Sequence, residues 1–331
     1  MERFALAAAV VLGFALTAAL CSLFVPLRRV LERREQQQQP VQSEQPRPAP
    51  LRAPLWGGLC AAAGTVAAVG VGWLAACVGQ PELLGSEGRL MTRLLTALAG
   101  SLAFGAVGLA EDVARMRSPA ALGLRRDVRL LLEALAAAFV LLLLRAAGCL
   151  PRGLGVPGAG YVLLGNAVPF LWAVLMVALA ECARIAERDE GTVCGAAFVA
   201  MLALMMVEAG LGVSGLAVLP AALAGALVAL GLWAFPPARL GVGCCGSLLA
   251  AGAIGCIPLS LDMTSLTVPL ALPFWAAGGL LAAQLLCAKR TGKPLRCWVK
   301  KHKMSPETVF LCSFALSAVG YVLALALLRW C

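Results

Sequence analysis

The sequence predicts an all-α membrane bundle of about ten transmembrane helices, and three observations carry that expectation. The chain is 61% hydrophobic and 13% charged over 331 residues, whereas an ordinary soluble domain is about half apolar and about a quarter charged. Apolar runs near the roughly 20 residues that span hydrocarbon recur along almost the whole chain. The basic residues fall mainly in alternate connections between these runs, the pattern left by retention of positive loops on the cytoplasmic side.

The expected spans are 4–26, 56–78, 91–110, 128–147, 166–186, 192–212, 215–234, 246–262, 267–288 and 309–329. They are rich in Ala, Leu and Gly, and small residues let helices approach closely in lipid, where hydrophobicity gives no net drive between helices. The first run is followed by Arg28 and Arg29 and carries no small-residue cleavage site, so it reads as a retained helix. Residues 27–55 read as a flexible cytoplasmic loop, because Glu35 to Pro50 is dominated by Gln and Pro and buries little. Pro54-Leu55-Trp56-Gly57-Gly58 ends that loop at the membrane surface, where a proline and paired glycines interrupt the helix. With no repeat or second composition, residues 1–331 read as one multi-pass domain.

The connections 27–55, 111–129, 184–191, 235–245 and 289–308 hold 21 of the 27 Lys and Arg, which places them in the cytoplasm and both termini outside it. The net charge of +10 is thereby accounted for at the membrane surface. It implies no nucleic-acid partner, since there is no basic domain or recognition motif; membrane lipid headgroups and anionic substrates are the matching partners. Thirteen cysteines are spread through apolar segments without paired metal spacing and read as small buried hydrophobes.

Acidic groups near membrane depth are costly and often functional. Glu111, Asp112, Glu181, Arg184, Glu187, Asp189 and Glu190 therefore mark a candidate cleft on the cytoplasmic side. Adjacent carboxylates such as Glu111-Asp112 at a helix end suit a magnesium ion or the positioning of a phosphate, but equally an interfacial acidic pair beside a basic loop. Glu187 and Glu190 would share a face on a continued helix, or belong to a solvated charged loop. Glu133 and Glu208, inside apolar segments, would suit a transporter relay, although no inverted repeat accompanies them.

Five segments together resemble the polyprenyl-phosphate phosphosugar transferases, in the phospho-N-acetylmuramoyl-pentapeptide transferase branch. Pro54-Leu55-Trp56-Gly57-Gly58 is similar to the family's Pro-Thr-Met-Gly-Gly, without the threonine. Gly108-Leu109-Ala110-Glu111-Asp112, followed by Arg115, Arg117 and Gly123-Leu124, resembles Gly-Phe-x-Asp-Asp and its basic sequel, with Arg129 in place of a lysine. Glu181 to Gly191 falls where the family has Asn-Ala-Val-Asn-Leu-Thr-Asp-Gly-Leu-Asp-Gly; the two aspartates become Glu187 and Glu190, and the two asparagines become Glu181 and Arg184. Val242-Gly243-Cys244-Cys245-Gly246-Ser247-Leu248 is similar to Met-Gly-Asp-x-Gly-Ser-Leu, with Cys244 at the family's metal-binding aspartate. Lys289-Arg290-Thr291-Gly292-Lys293 matches the start of the last cytoplasmic loop, where the family's three histidines are reduced to His302, the chain's single histidine.

The resemblance implies transfer of a phosphosugar from a UDP-sugar to undecaprenyl phosphate, dependent on Mg2+, in a bacterial cytoplasmic membrane with the active face cytoplasmic, by a homodimer. It implies catalytic roles for Glu111, Asp112 and His302, substrate binding by Arg129, Glu181, Arg184, Glu187, Glu190, Lys300 and Lys301, and metal binding by Asp112 and Glu187. Cys244 departs from this pattern, because magnesium is a hard cation that takes oxygen ligands and a thiol is neutral near pH 7 and soft when ionised. Two functions follow as alternatives: an active transferase, or a pseudoenzyme that keeps the fold and binds polyprenyl phosphate or a cell-wall partner.

Overall fold

The computed structural model describes residues 2–38, 56–79, 88–117, 123–151, 153–156, 160–163, 165, 167–187, 191–213, 215–235, 238–291 and 306–330. Helices account for nearly all of it: α1 Glu2–Gln38, α2 Gly57–Gly79, α3 Gly88–Arg117, α4 Arg126–Ala146, α5 Ala167–Ala186, α6 Thr192–Gly210, α7 Val218–Ala234, α8 Gly243–Ser260, the short α9 Thr267–Leu270, α10 Leu272–Thr291 and α11 Pro306–Trp330. Each expected span coincides with a helix or, at 267–288, with a broken pair. Among the described residues seven stretches are long and apolar enough to cross a membrane: Phe4–Val25, Gly57–Val78, Leu90–Arg117, Ala167–Ala186, Thr192–Gly210, Gly243–Ser260 and Glu307–Leu327.

The three remaining spans depart for visible reasons. Helix α4 carries Arg129, Glu133 and Arg145 within an otherwise apolar sequence. Helix α7 is only 17 residues long. The run at 267–288 bends by 64° between Thr264–Leu270 and Leu272–Ala283, where Pro269 and Pro273 each remove a backbone donor and crowd the preceding turn.

Two connections differ from the sequence expectation. Residues 27–38, expected in a loop, continue α1 to Gln38, and residues 39–55 lie outside the described set. Between α4 and α5 the chain forms an antiparallel hairpin, β1 Gly153–Val156 with β2 Gly160–Leu163, in which Gly153 pairs with Leu163 and Val156 with Gly160. This hairpin lies against the 3-10 turn Thr264–Leu266.

Helix α8 is the axis of the bundle. Every one of its 18 residues is buried, whereas only 17% of the span in α11 is enclosed by protein. Its sequence GCCGSLLAAGAIGCIPLS consists largely of small side chains, which let neighbours approach its backbone on all sides. Gly58 of α2 packs on the Gly246 amide and Gly108 of α3 on the Cys244 carbonyl, so a Cβ at either position would collide with backbone. The Gly57 amide also donates to the Gly241 carbonyl at 3.2 Å. Two segments nearly 190 residues apart in sequence, Trp56-Gly57-Gly58 and Val242 to Leu248, are thereby docked on one another. Cys21, Cys60, Cys77, Cys194, Cys244, Cys245 and Cys256 are buried free thiols, and Cys149 is also free, in keeping with cysteines acting as packing residues.

Candidate functional site

The connections 111–129, 184–191 and 235–245 converge on one end of the bundle, because α3 and α5 end there and α4 and α8 begin there. The sequence places Glu111 and Asp112 at a helix end, just past the span 91–110; they lie on the penultimate turn of α3, which runs on to Arg117. The reason is local and tertiary together. Arg115 pairs with Glu111 one turn earlier, Nη2 to Oε1 at 2.8 Å, a spacing that supports a helix end, and Asp112 is fixed by α8.

That fixation is the best-defined contact of the site. Asp112 is fully buried. Its Oδ1 accepts the Cys244 amide at 3.0 Å and its Oδ2 accepts the Cys245 amide at 2.9 Å. These are orphan donors of the first turn of α8, where the helix dipole also favours a negative charge. Gly243 makes the geometry available: its φ of 71° is a left-handed conformation that L side chains adopt at a cost, and it turns the incoming chain so that the next two amides face α3.

Around this anchor runs a chain of opposite charges. Arg115 extends from Glu111 to Glu187, Nη1 to Oε2 at 3.5 Å, and the same Glu187 oxygen lies 3.7 Å from the Cys244 thiol. Arg129 binds Glu181, Nε to Oε1 at 2.7 Å, with Glu111 at 3.7 Å and Glu133 at 3.9 Å from its nitrogens. Arg184 closes the chain on the other Glu181 oxygen at 2.7 Å. Five carboxylates and three guanidinium groups from the ends of three helices, α3, α4 and α5, thus gather beside the first turn of α8. Arg115, Arg129 and Arg184 have the planar donor geometry and permanent charge that suit phosphate oxygens.

Of the residues the sequence singled out, Glu111, Asp112, Arg129, Glu181, Arg184, Glu187 and Cys244 are brought together here. Glu190, Lys300, Lys301 and His302 lie outside the described residues. Two participants escaped sequence reasoning. Arg115 was visible only as part of a basic segment, although its spacing of four from Glu111 was a usable signal. Glu133, which by sequence alone suits one half of a transporter relay, lies beside Arg129, again four residues away.

Magnesium, which the resemblance implies, does not fit the donors described. Both Asp112 oxygens are engaged by backbone amides, Glu111 Oε1 and Glu187 Oε2 are held by Arg115, and a neutral thiol stands at position 244. Glu111 Oε2 and the two Glu133 oxygens are buried without a hydrogen-bond partner among the described residues, but they are not gathered with a third ligand. Among the described residues no three His, Cys, Asp or Glu side chains are grouped to hold a metal ion. Magnesium needs several oxygens at about 2.0–2.1 Å in near-octahedral array.

Comparison with known sequences agrees with the geometry. A sequence model of glycosyl transferase family 4 matches residues 94–262, the stretch from within α3 to the end of α8 that holds all the charged residues of this cluster. A phospho-N-acetylmuramoyl-pentapeptide-transferase of Geobacillus kaustophilus (strain HTA426) is 25% identical over 309 residues, covering 92% of this chain and 89% of that protein. A phospho-N-acetylmuramoyl-pentapeptide-transferase of Desulforudis audaxviator (strain MP104C) is 31% identical over 170 residues, covering 48% of this chain and 50% of that protein. The chain belongs to glycosyl transferase family 4, as a diverged multi-pass membrane relative of the phospho-N-acetylmuramoyl-pentapeptide-transferases.

Proposed function

We propose that this protein recognises a polyprenyl phosphate and a UDP-sugar at the cytoplasmic face of a bacterial plasma membrane, as a phosphosugar transferase of lipid-linked peptidoglycan precursor synthesis with altered catalytic groups. Ten crossings would leave both termini outside the cytoplasm and the cleft within reach of a soluble nucleotide. In the reaction a lipid phosphate oxygen attacks the sugar-bearing phosphorus of the UDP-sugar, the bond to the uridine monophosphate oxygen breaks, and a lipid-linked diphosphate sugar remains. The observation that supports this reading is the gathering of Arg115, Arg129 and Arg184 with the family's acidic positions at one end of the bundle. Three permanent cations among carboxylates can hold phosphates and offset the charge that develops on transfer.

A second reading, a pseudoenzyme that binds the lipid carrier or a cell-wall partner without turnover, is favoured by Cys244 and by the engagement of both Asp112 oxygens in holding α8. Release of uridine monophosphate from UDP-N-acetylmuramoyl-pentapeptide with undecaprenyl phosphate separates the two. Release by the wild type that is lost in Glu187→Gln and Arg129→Gln, at unchanged thermal stability, supports the transferase. Retained binding of undecaprenyl phosphate with no release, restored by Cys244→Asp, supports the pseudoenzyme; neither binding nor release sinks both.

A further inference from the structure

The misfit between this cleft and a divalent metal has a positive counterpart in Arg115. Its guanidinium bridges Glu111 at 2.8 Å and Glu187 at 3.5 Å, carboxylates from the ends of two different helices. It thereby stands beside the Cys244 thiol, which is 3.7 Å from the same Glu187 oxygen. A metal entering here would find one Glu111 oxygen, Oε2, without a partner among the described residues. For further oxygens it would have to displace a tethered cation from Glu111 Oε1 and Glu187 Oε2 and accept a neutral sulfur beside them, and a hard cation gains nothing by that. The Asp112 carboxylate cannot swing in to help without releasing the Cys244 and Cys245 amides in the first turn of α8.

The guanidinium is also not used up. Two of its nitrogens are engaged by the glutamates, a guanidinium has five N–H donors in a planar fork, and the side chain retains 20% exposure. We propose that Arg115 is the built-in cation of this site and binds the phosphate or diphosphate group of its ligand directly, without a divalent metal. This rests on the reading that the cleft takes a phosphorylated ligand. Glu111 and Glu187 then act as positioning residues: they hold the guanidinium at the junction of α3, α5 and α8, where a flexible side chain would otherwise leave the cleft for solvent.

Three measurements on the full chain in detergent test the proposal. Electron paramagnetic resonance of Mn2+ alone with the protein is expected to show no bound ion; a stoichiometric bound Mn2+ overturns it. Binding of undecaprenyl phosphate in micelles and of uridine diphosphate in solution is compared in EDTA and in millimolar Mg2+, and whichever binds identifies the source of the phosphate. The affinity is expected to agree within about twofold between the two conditions, and a loss of about tenfold or more in EDTA overturns the proposal. Arg115→Gln is expected to weaken that binding about tenfold or more and Arg115→Lys to restore part of it, as befits a charge-assisted contact to phosphate. Unchanged affinity in Arg115→Gln overturns the assignment of the cation. Should neither probe bind under any condition, the functional reading above fails, while the Mn2+ measurement still decides whether the cleft is a metal site.

Discussion

Asp112 at the end of α3 and Glu208 near the end of α6 are buried to the same degree, 0% and 1% exposed, yet their surroundings are opposite. Asp112 spends both oxygens on amides that would otherwise be unpaired. Glu208 has an Oε2 that is buried with no hydrogen-bond partner among the described residues, and it stands about 24 Å along α6 from the cleft end at Thr192. One carboxylate organises a helix junction; the other is enclosed at a cost. Depth alone therefore does not identify the acid that matters, because a buried polar group contributes according to the partners it leaves behind when removed.

The contrast is sharpest in Asp112→Ala, which strands two amides in a packed interior and is expected to lower stability by about 3 kcal/mol. Thermal unfolding in detergent checks it, and a loss of less than about 1 kcal/mol would erase the distinction. Next comes Gly58→Ala, whose methyl meets the Gly246 amide; overpacking of this kind is expected to cost about 2 kcal/mol and to loosen the same turn of α8, read as faster hydrogen exchange at Cys244 and Cys245. Glu181→Gln removes a charge shared by Arg129 and Arg184 at 2.7 Å each. A cost of about 1–2 kcal/mol is expected, and recovery in the double variant Glu181→Gln, Arg184→Gln would show how much of it is uncompensated charge. The smallest effect has the opposite sign: Glu208→Leu is expected to gain about 1 kcal/mol, and a loss instead would reveal a partner that makes Glu208 structural.

The bundle was legible in the sequence because span length, small-residue content and the placement of Lys and Arg are imposed by the bilayer itself. What escaped was set by tertiary contact. That α3 continues through Glu111 and Asp112 depends on amides of α8 lying 132 and 133 residues away in sequence, and the run at 267–288 breaks at two prolines that do not interrupt its apolar pattern. The site was legible as residue types and not as pairings. Glu111, Glu181 and Glu187 were all singled out, but their division among Arg115, Arg129 and Arg184 follows from how the ends of α3, α4 and α5 converge. The hairpin at 153–163 has only four residues in each strand, too few for an alternating pattern to stand out.

The complete enclosure of α8 also bears on biogenesis. A segment apolar enough to enter the bilayer, yet enclosed by protein along its whole length in the folded chain, must exchange every lipid contact for a helix contact as the bundle closes. Inserted helices find their partners afterwards through close packing, so α8 depends on α2 and α3, made earlier, to receive it. A substitution that spoils the seat at Gly58 or Gly108 would then be felt first as low yield and rapid degradation of the chain, before any purified sample could reveal a defect in binding.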